Sequence, residues 1–196
     1  MRIIAGCWKG RRIHFVTEGI RPTADRVRET LFNWLSPWIQ GAYCLDMFAG
    51  TGALGLEALS RGADKAVFIE LSHQAASQLK RNIAVLGCES AEVFQADATK
   101  LQFAGHRPFD IVFIDPPFNK AEDIRGENPG LAELCTLIES AGYLSPAAHI
   151  YIELAKQTGF PSLPTGWAVI RESTAGQVRF ALIQRQLELN EAKLQE

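Results

Sequence analysis

Apolar and polar positions alternate along this chain in two periods, one of two residues and one of nearly four. From residue 42 onward the two take turns. Residues 42–48 read as a strand and 52–61 as a helix. Lys65–Glu70 reads as a strand, 72–86 as a helix and Ala91–Gln95 as a strand. Residues 109–115 follow as a strand whose centre, Ile111-Val112-Phe113-Ile114, is apolar without a break. Such a run fits a strand covered by helices on both faces. Residues 131–141 look helical and 149–154 extended, and 167–173 with 177–184 make a closing hairpin around Ala175-Gly176. This alternation predicts an α/β protein with a doubly wound, mostly parallel seven-stranded sheet ending in a C-terminal antiparallel hairpin. Ahead of it, residues 2–16 predict a short hairpin turning near Lys9-Gly10. Thr23 is placed to cap a helix reaching about residue 39, with Val27, Leu31, Trp34, Leu35 and Trp38 on its apolar face and Arg26 and Glu29 opposite. The chain then divides into a basic hairpin and helix (1–40), a sheet domain (41–186) and a polar tail (187–196).

Charge changes the picture of the first forty residues. The 196 residues carry a net charge of −2 and are 47% hydrophobic, ordinary for a soluble globular domain. Yet residues 1–30 hold Arg2, Lys9, Arg11, Arg12, Arg21, Arg26 and Arg28 against Glu18, Asp25 and Glu29. A basic arm on an acidic body is a candidate phosphate-binding surface, or else a solvated terminus. No apolar run is long enough to span a bilayer, and the first residues lack the pattern of a signal peptide. Cys7, Cys44, Cys88 and Cys135 are too scattered for a metal knuckle or a redox pair, so no metal is expected. Scattered thiols without an export signal suit the reducing cytoplasm, and Cys44 reads as core.

Open sheets bind ligands beyond the carboxyl ends of their strands, and the candidate residues fall there. Asp46-Met47-Phe48-Ala49-Gly50-Thr51-Gly52-Ala53-Leu54-Gly55 joins the first strand to its helix. Gly50, Gly52 and Gly55 match G-x-G-x-x-G, a turn that lets backbone amides approach a nucleotide. Glu70 and Leu71 end the next strand, where a carboxylate can accept from ribose hydroxyls. This much fits NAD as well as S-adenosylmethionine. Asp46 tilts the choice, because it would repel a pyrophosphate but can face an aminoacyl sulfonium. Asp97 with Ala98, after the third strand, is placed to accept from an adenine amine.

Asp115-Pro116-Pro117-Phe118 closes the fourth strand and suggests the chemistry. Two prolines stiffen the corner and turn its carbonyls outward. An aryl amine is a weak nucleophile because its lone pair is delocalised into the ring. The Asp115 carboxylate and the Pro116 carbonyl together can accept both N–H groups and favour a pyramidal nitrogen. Asp115 can also take the proton as charge develops, and Phe118 can stack on the base.

These segments resemble a known family. The glycine loop looks like that of Rossmann-like S-adenosylmethionine methyltransferases, and Asp115–Phe118 like the catalytic loop of amino-methyltransferases. The run Arg21-Pro22-Thr23-Ala24-Asp25-Arg26-Val27-Arg28-Glu29-Thr30-Leu31-Phe32-Asn33 resembles the signature of bacterial 16S ribosomal RNA guanine-N2 methyltransferases of the RsmD type. So do Arg2-Ile3-Ile4-Ala5-Gly6 with Lys9-Gly10-Arg11, and Ala175-Gly176-Gln177-Val178. The resemblance implies a Rossmann-like S-adenosylmethionine methyltransferase fold and a methyl transfer to a guanine of 16S rRNA within the small ribosomal subunit or a late assembly intermediate. It implies that Asp46, Phe48, Gly50, Thr51, Gly52, Glu70, Leu71, Asp97, Ala98 and Asp115 hold S-adenosylmethionine. Asp115, Pro116, Pro117 and Phe118 would hold the base, and Lys9, Arg11, Arg12, Arg21, Arg26 and Arg28 the RNA phosphates. The segment Ala5-Gly6-Cys7-Trp8 departs from the glycine-rich, basic stretch of many relatives, and Trp8 there either packs the arm onto the body or stacks on a base. The loop 119–130 follows the catalytic corner as a lid or a passive surface loop. An NAD-dependent oxidoreductase would leave Asp46 and Asp115–Phe118 idle. A protein glutamine methyltransferase usually has Asn in place of Asp115 and a separate substrate domain. A non-catalytic RNA-binding module would leave the cofactor residues surplus.

Overall fold

The computed structural model describes residues 1–15, 23–100, 106–117 and 129–186. In chain order the elements are α1 (Asp25–Leu35), β1 (Tyr43–Asp46), α2 (Ala53–Ser60), β2 (Lys65–Glu70), α3 (His73–Leu86), β3 (Ala91–Gln95), β4 (Phe109–Ile114), α4 (Pro129–Ser140), β5 (Leu144–Ala155), β6 (Trp167–Ala175) and β7 (Val178–Arg185). Seven strands form one sheet in the order β3-β2-β1-β4-β5-β7-β6. Strands β1 to β5 run parallel, and β7 pairs antiparallel with both β5 and β6. The strand order reverses between β1 and β4, which opens a crevice at their carboxyl ends.

Both faces of the sheet are covered, as the unbroken apolar run of β4 predicts. Ile111 and Phe113 join a core beneath α1, α2 and α3 with Leu31, Phe32, Leu56 and Leu79. Val112 and Ile114 point to a second core with Leu131, Leu134, Cys135 and Ile138 of α4. Cys44 is buried in the first of these cores.

Elements α1 and β5 differ most from the sequence expectation. Helix α1 stops at Leu35 instead of residue 39: Ser36 still takes helical angles, but Pro37 has no amide hydrogen to continue the ladder. Trp38, beyond the stop, stacks on His149 at 3.9 Å between ring centroids. The residue flanking α1 at its start is Ala24, with no side-chain cap, so Thr23 is not the cap. Strand β5 begins at Leu144, well before residue 149. Its early part holds Pro146, and its register against β4 shifts between Phe109 and Ile111. A proline cannot donate to the ladder, so this stretch pairs irregularly and reads poorly as a strand.

The N-terminal hairpin turns at Lys9-Gly10, as expected: Arg11 N donates to Trp8 O at 3.0 Å and Gly10 takes a φ of 82°. Ile3 N donates to Arg11 O at 3.0 Å and Gly10 N to Ile3 O at 2.9 Å, with one bridge between Arg2 and Arg12. The residues between are spent on α2. Ile4 N and Ala5 N donate to Glu57 Oε2 and Oε1 at 2.8 and 3.0 Å. Cys7 N donates to Ser60 O at 2.8 Å, and Trp8 N to Ser60 Oγ at 3.0 Å. Gly6 lies so close that a Cβ would sit 1.7 Å from Ser60 O, and its φ is +83°. Only glycine fits that approach. Trp8 packs half-buried against the first core, which settles it as the pin of the arm.

Glu57 is fully buried and also receives Arg61 Nε at 2.7 Å and Arg28 Nη1 at 3.4 Å. Removing this carboxylate takes the acceptor from Arg28 Nη1, Arg61 Nε and the amides of Ile4 and Ala5 at once. Glu57→Ala is expected to cost about 3–5 kcal/mol, the usual loss when one partner of a buried pair is deleted. Urea unfolding of the two proteins measures it, and a loss below about 1 kcal/mol, as for an exposed pair, would contradict the assignment.

Candidate active site

The glycine turn is built by two left-handed glycines and a carboxylate. Gly50 and Gly52 take φ of 50° and 76°. A Cβ on Gly52 would meet Leu79 Cδ1 at 2.4 Å, so the turn lies flush against α3. Glu70, at the end of β2, ties the turn to the next helix. Its Oε2 accepts from Gly50 N and its Oε1 from Ser72 N, both at 2.7 Å. Each oxygen retains a further lone pair, so a ribose diol still finds an acceptor. Leu71 beside it is an apolar side chain left 70% exposed by the described residues.

Asp46 lies buried at the end of β1, and its Oδ2 accepts from Gly55 N at 3.0 Å. It therefore fixes the first turn of α2. Burial pushes its carboxyl up to about 7, with the Gly55 amide opposing and the Glu70 charge adding. Phe48 is half-buried on the second core, and Thr51 is buried. Asp97 is half-exposed and accepts from Thr99 Oγ1 at 2.7 Å and Thr99 N at 3.0 Å. Those bonds, with Lys100, hold its carboxyl below the usual range. Ala98 is buried in the second core.

Asp115 and Pro116 are half-buried just past β4, and Pro117 is exposed. Phe118 and residues 119–128 lie outside the described residues, so the lid reading of that loop goes with them. The corner and the glycine turn are neighbours across the strand switch, since Asp46 pairs with Phe113 and Met47 N donates to Phe113 O at 3.0 Å. Thr23 Oγ1 donates to Asp115 Oδ2 at 3.0 Å. Burial holds the Asp115 carboxyl well above its ordinary range; Glu153 and Asp46 add to this and the Thr23 bond opposes it. Glu153 is buried near the end of β5 and accepts from Tyr151 Oη at 2.6 Å. Thr23, Tyr151 and Glu153 are absent from the sequence-derived site. A signal existed for Glu153, an acid inside the apolar run Ile150-Tyr151-Ile152-Glu153-Leu154.

The six basic residues assigned to RNA do not form one group. Lys9, Arg11, Arg12 and Arg26 are exposed, and Arg21 lies outside the described residues. Arg28 is a correction. It is fully buried and bonds Asp25 at 2.6 Å, Arg2 O at 2.8 Å and Glu57, so it holds the arm and cannot meet a phosphate. The hairpin runs between α2 and α3. Its ends stand by the glycine turn, where Thr51 Oγ1 reaches Met1 Sδ at 3.6 Å and His14 and Phe15 share a hollow with Gly50. Its turn lies at the far ends of both helices, with Arg11 Nη2 on Val85 O at 3.2 Å. Lys9 and Arg11 thus stand about 12 Å along α2 from the glycine turn, and Arg12 lies nearer to it, opposite Arg2.

Known proteins resemble the whole of this arrangement. The family model described as conserved hypothetical protein 95 matches residues 1–184. Ribosomal RNA small subunit methyltransferase D of Escherichia coli (strain K12) is 45% identical over 187 residues, covering 95% of this chain and 90% of its own. The solved structure of Escherichia coli yhhF superposes with a TM-score of 0.84 at 42% identity, covering 96% of this chain and 99% of its own. An RNA methyltransferase from Salinibacter ruber, solved with S-adenosyl-L-homocysteine, shares the fold at 15% identity, with a TM-score of 0.63 and coverage of 87% and 97%.

The raised proton affinity of Asp46 has a consequence for stability. Between the ordinary carboxylate range and about pH 7, the folded chain holds a proton that the unfolded chain releases. Stability therefore falls as pH rises through that window. Asp46→Asn keeps an acceptor for Gly55 N and removes the buried charge. Thermal melts at pH 8 should place the variant a few degrees above the parent, with a flatter dependence on pH. A lower Tm with the parent's pH slope would refute this.

Proposed function

Since the chain belongs to the RsmD-type family of small-subunit ribosomal RNA methyltransferases, described as conserved hypothetical protein 95, we propose that it methylates the exocyclic N2 of one guanine in 16S rRNA. It is an S-adenosylmethionine-dependent methyltransferase. Its substrate is the RNA within the small subunit or a late assembly intermediate, in the cytoplasm. The observation that carries this reading is the Asp115-Pro116-Pro117 corner standing beside the glycine turn across β4 and β1.

The crevice fits the cofactor. Glu70 would accept from the ribose, and Leu71 and Asp97 would hold the adenine. Asp46, once ionised, opposes the cationic end, and Gly50, Thr51 and Gly52 line it without bulk. Bound there, S-adenosylmethionine supplies an electrophilic methyl group.

The chain's own residues then prepare the amine. Asp115 and the Pro116 carbonyl accept its two N–H bonds, which turns the nitrogen lone pair toward the methyl. Fixed acceptors of this kind stabilise the charge that develops on nitrogen, and alignment in the crevice lowers the entropic barrier. Asp115 takes the proton that the nitrogen sheds. The guanine must leave its stack to reach the corner, at a cost of a few kcal/mol. Phosphate binding at Arg26 near the crevice, at Arg12 on the hairpin and at Lys9 about 12 Å away along α2 suits a large folded RNA more than a short oligonucleotide.

Asp115→Ala should bind S-adenosylmethionine like the parent and lose at least about 100-fold in kcat on small subunits, the scale of a missing general base. Turnover near that of the parent would discredit the corner. Mass spectrometry of ribosomal RNA from cells lacking the gene should find one methylguanine missing from 16S rRNA. Charge reversal at Lys9 and Arg12 should weaken subunit binding and reduce the slope of log K against log salt by about one for each phosphate no longer neutralised. An unchanged slope would take the hairpin turn out of the interface.

A further inference from the structure

The hydroxyl of Thr23 is the one side-chain donor that the structure gives to Asp115 among the described residues. Thr23 is 8% exposed and stands just ahead of α1, whose buried residues Val27, Leu31, Phe32 and Leu35 hold that helix on the core. Its bond spans 92 positions of sequence and joins the N-terminal region to the strand-end acid. The hydroxyl is not needed for the helix, since α1 starts without any side-chain cap.

We propose that Thr23 is a positioning residue for methyl transfer, fixing Asp115 through Oδ2 so that Oδ1 faces the substrate amine. A carboxylate on a short side chain still rotates about its last bond. One fixed hydrogen bond to Oδ2 removes that freedom and sets the plane of the group. The bond also favours the ionised form, which is the form that accepts from N–H. The burial and the neighbouring acids pull the other way. Thr23 thus does two things at once: it aims the acceptor and keeps it charged. Arg26 is exposed in the first turn of α1, so a phosphate held there would bear on the same helix end that carries Thr23.

The inference rests on the catalytic reading of Asp115, and the experiment separates the two. Thr23→Val keeps the shape and deletes the hydroxyl, Thr23→Ala deletes it with less bulk, and Thr23→Ser keeps it. Each is assayed on small subunits for kcat across pH, with S-adenosylmethionine affinity by calorimetry as the check that the fold is intact. Val and Ala should lower kcat about tenfold, leave cofactor affinity unchanged and move the acid limb of the pH profile to higher pH, as for an acid deprived of a stabilising donor. Ser should restore the limb of the parent. If Val and Ala keep the parental limb and kcat, or if Ser is as impaired as Val, the hydroxyl has no positioning role. Asp115→Ala is run beside them. Full activity of that variant overturns the catalytic reading itself, whereas its inactivity together with a parental Thr23→Val overturns only the inference.

Discussion

The structure depends on how one buried carboxylate is neutralised. Glu57 lies in the last turn of α2 with no exposed surface. An ion there survives only if its lone pairs are filled, because the interior does not solvate it. The partners come from three places: the amides of Ile4 and Ala5, Arg61 one turn on, and Arg28 from α1. Arg28 in turn reaches Arg2 O and Asp25. A single charge therefore sets the position of the arm, of α1 and of α2 relative to one another. The consequence runs to the active site. With α1 held by Arg28 at one point, its N-terminal end comes to lie over β4, and Thr23 meets Asp115.

That dependence explains which parts of the molecule were legible in the chain. Strands β2 and β3 match their expected bounds, and β4 ends one residue early, because their periods and strand-end residues are local properties. The strand-end residues Asp46, Glu70 and Asp115 were legible for the same reason: a charged side chain after an apolar run has no packing role to explain it. What failed was whatever a distant partner decides. Arg28 reads as a surface arginine beside Arg26, and only the burial of Glu57 29 positions later makes it structural. Thr23 reads as a helix cap, because threonine before a helix usually is one. Its true partner is 92 positions away. The hairpin turn at Lys9-Gly10 was legible because it is local, whereas the hold of Glu57 on the amides of Ile4 and Ala5 was not.

The acids at the site follow from the sheet. Strands β1, β4 and β5 are neighbours, and Asp46, Asp115 and Glu153 fall near their carboxyl ends. Burial raises the proton affinity of Asp46 and Asp115, and for Asp115 the charges of Glu153 and Asp46 add to it. In an empty site this is a burden on stability, since nothing in the core demands acids there. The burden makes sense if positive charge arrives. A sulfonium, an ammonium group and a nitrogen gaining charge during transfer are all cationic, and under the proposed reaction each would meet a carboxylate already in place.

Such a cluster must also not collapse on itself. Carboxylates that lose their protons in a flexible loop would swing apart into water. Here each acid is tethered by a donor from a different element: Asp46 by Gly55 of α2, Asp115 by Thr23 ahead of α1, and Glu153 by Tyr151 of its own strand. The two prolines after Asp115 remove the remaining backbone freedom at the corner. The tethers fix geometry while the surroundings fix charge, and the two tasks are carried by different residues. The corner can thus hold an acid whose proton affinity burial raises, yet whose oxygens stay where an amine would find them.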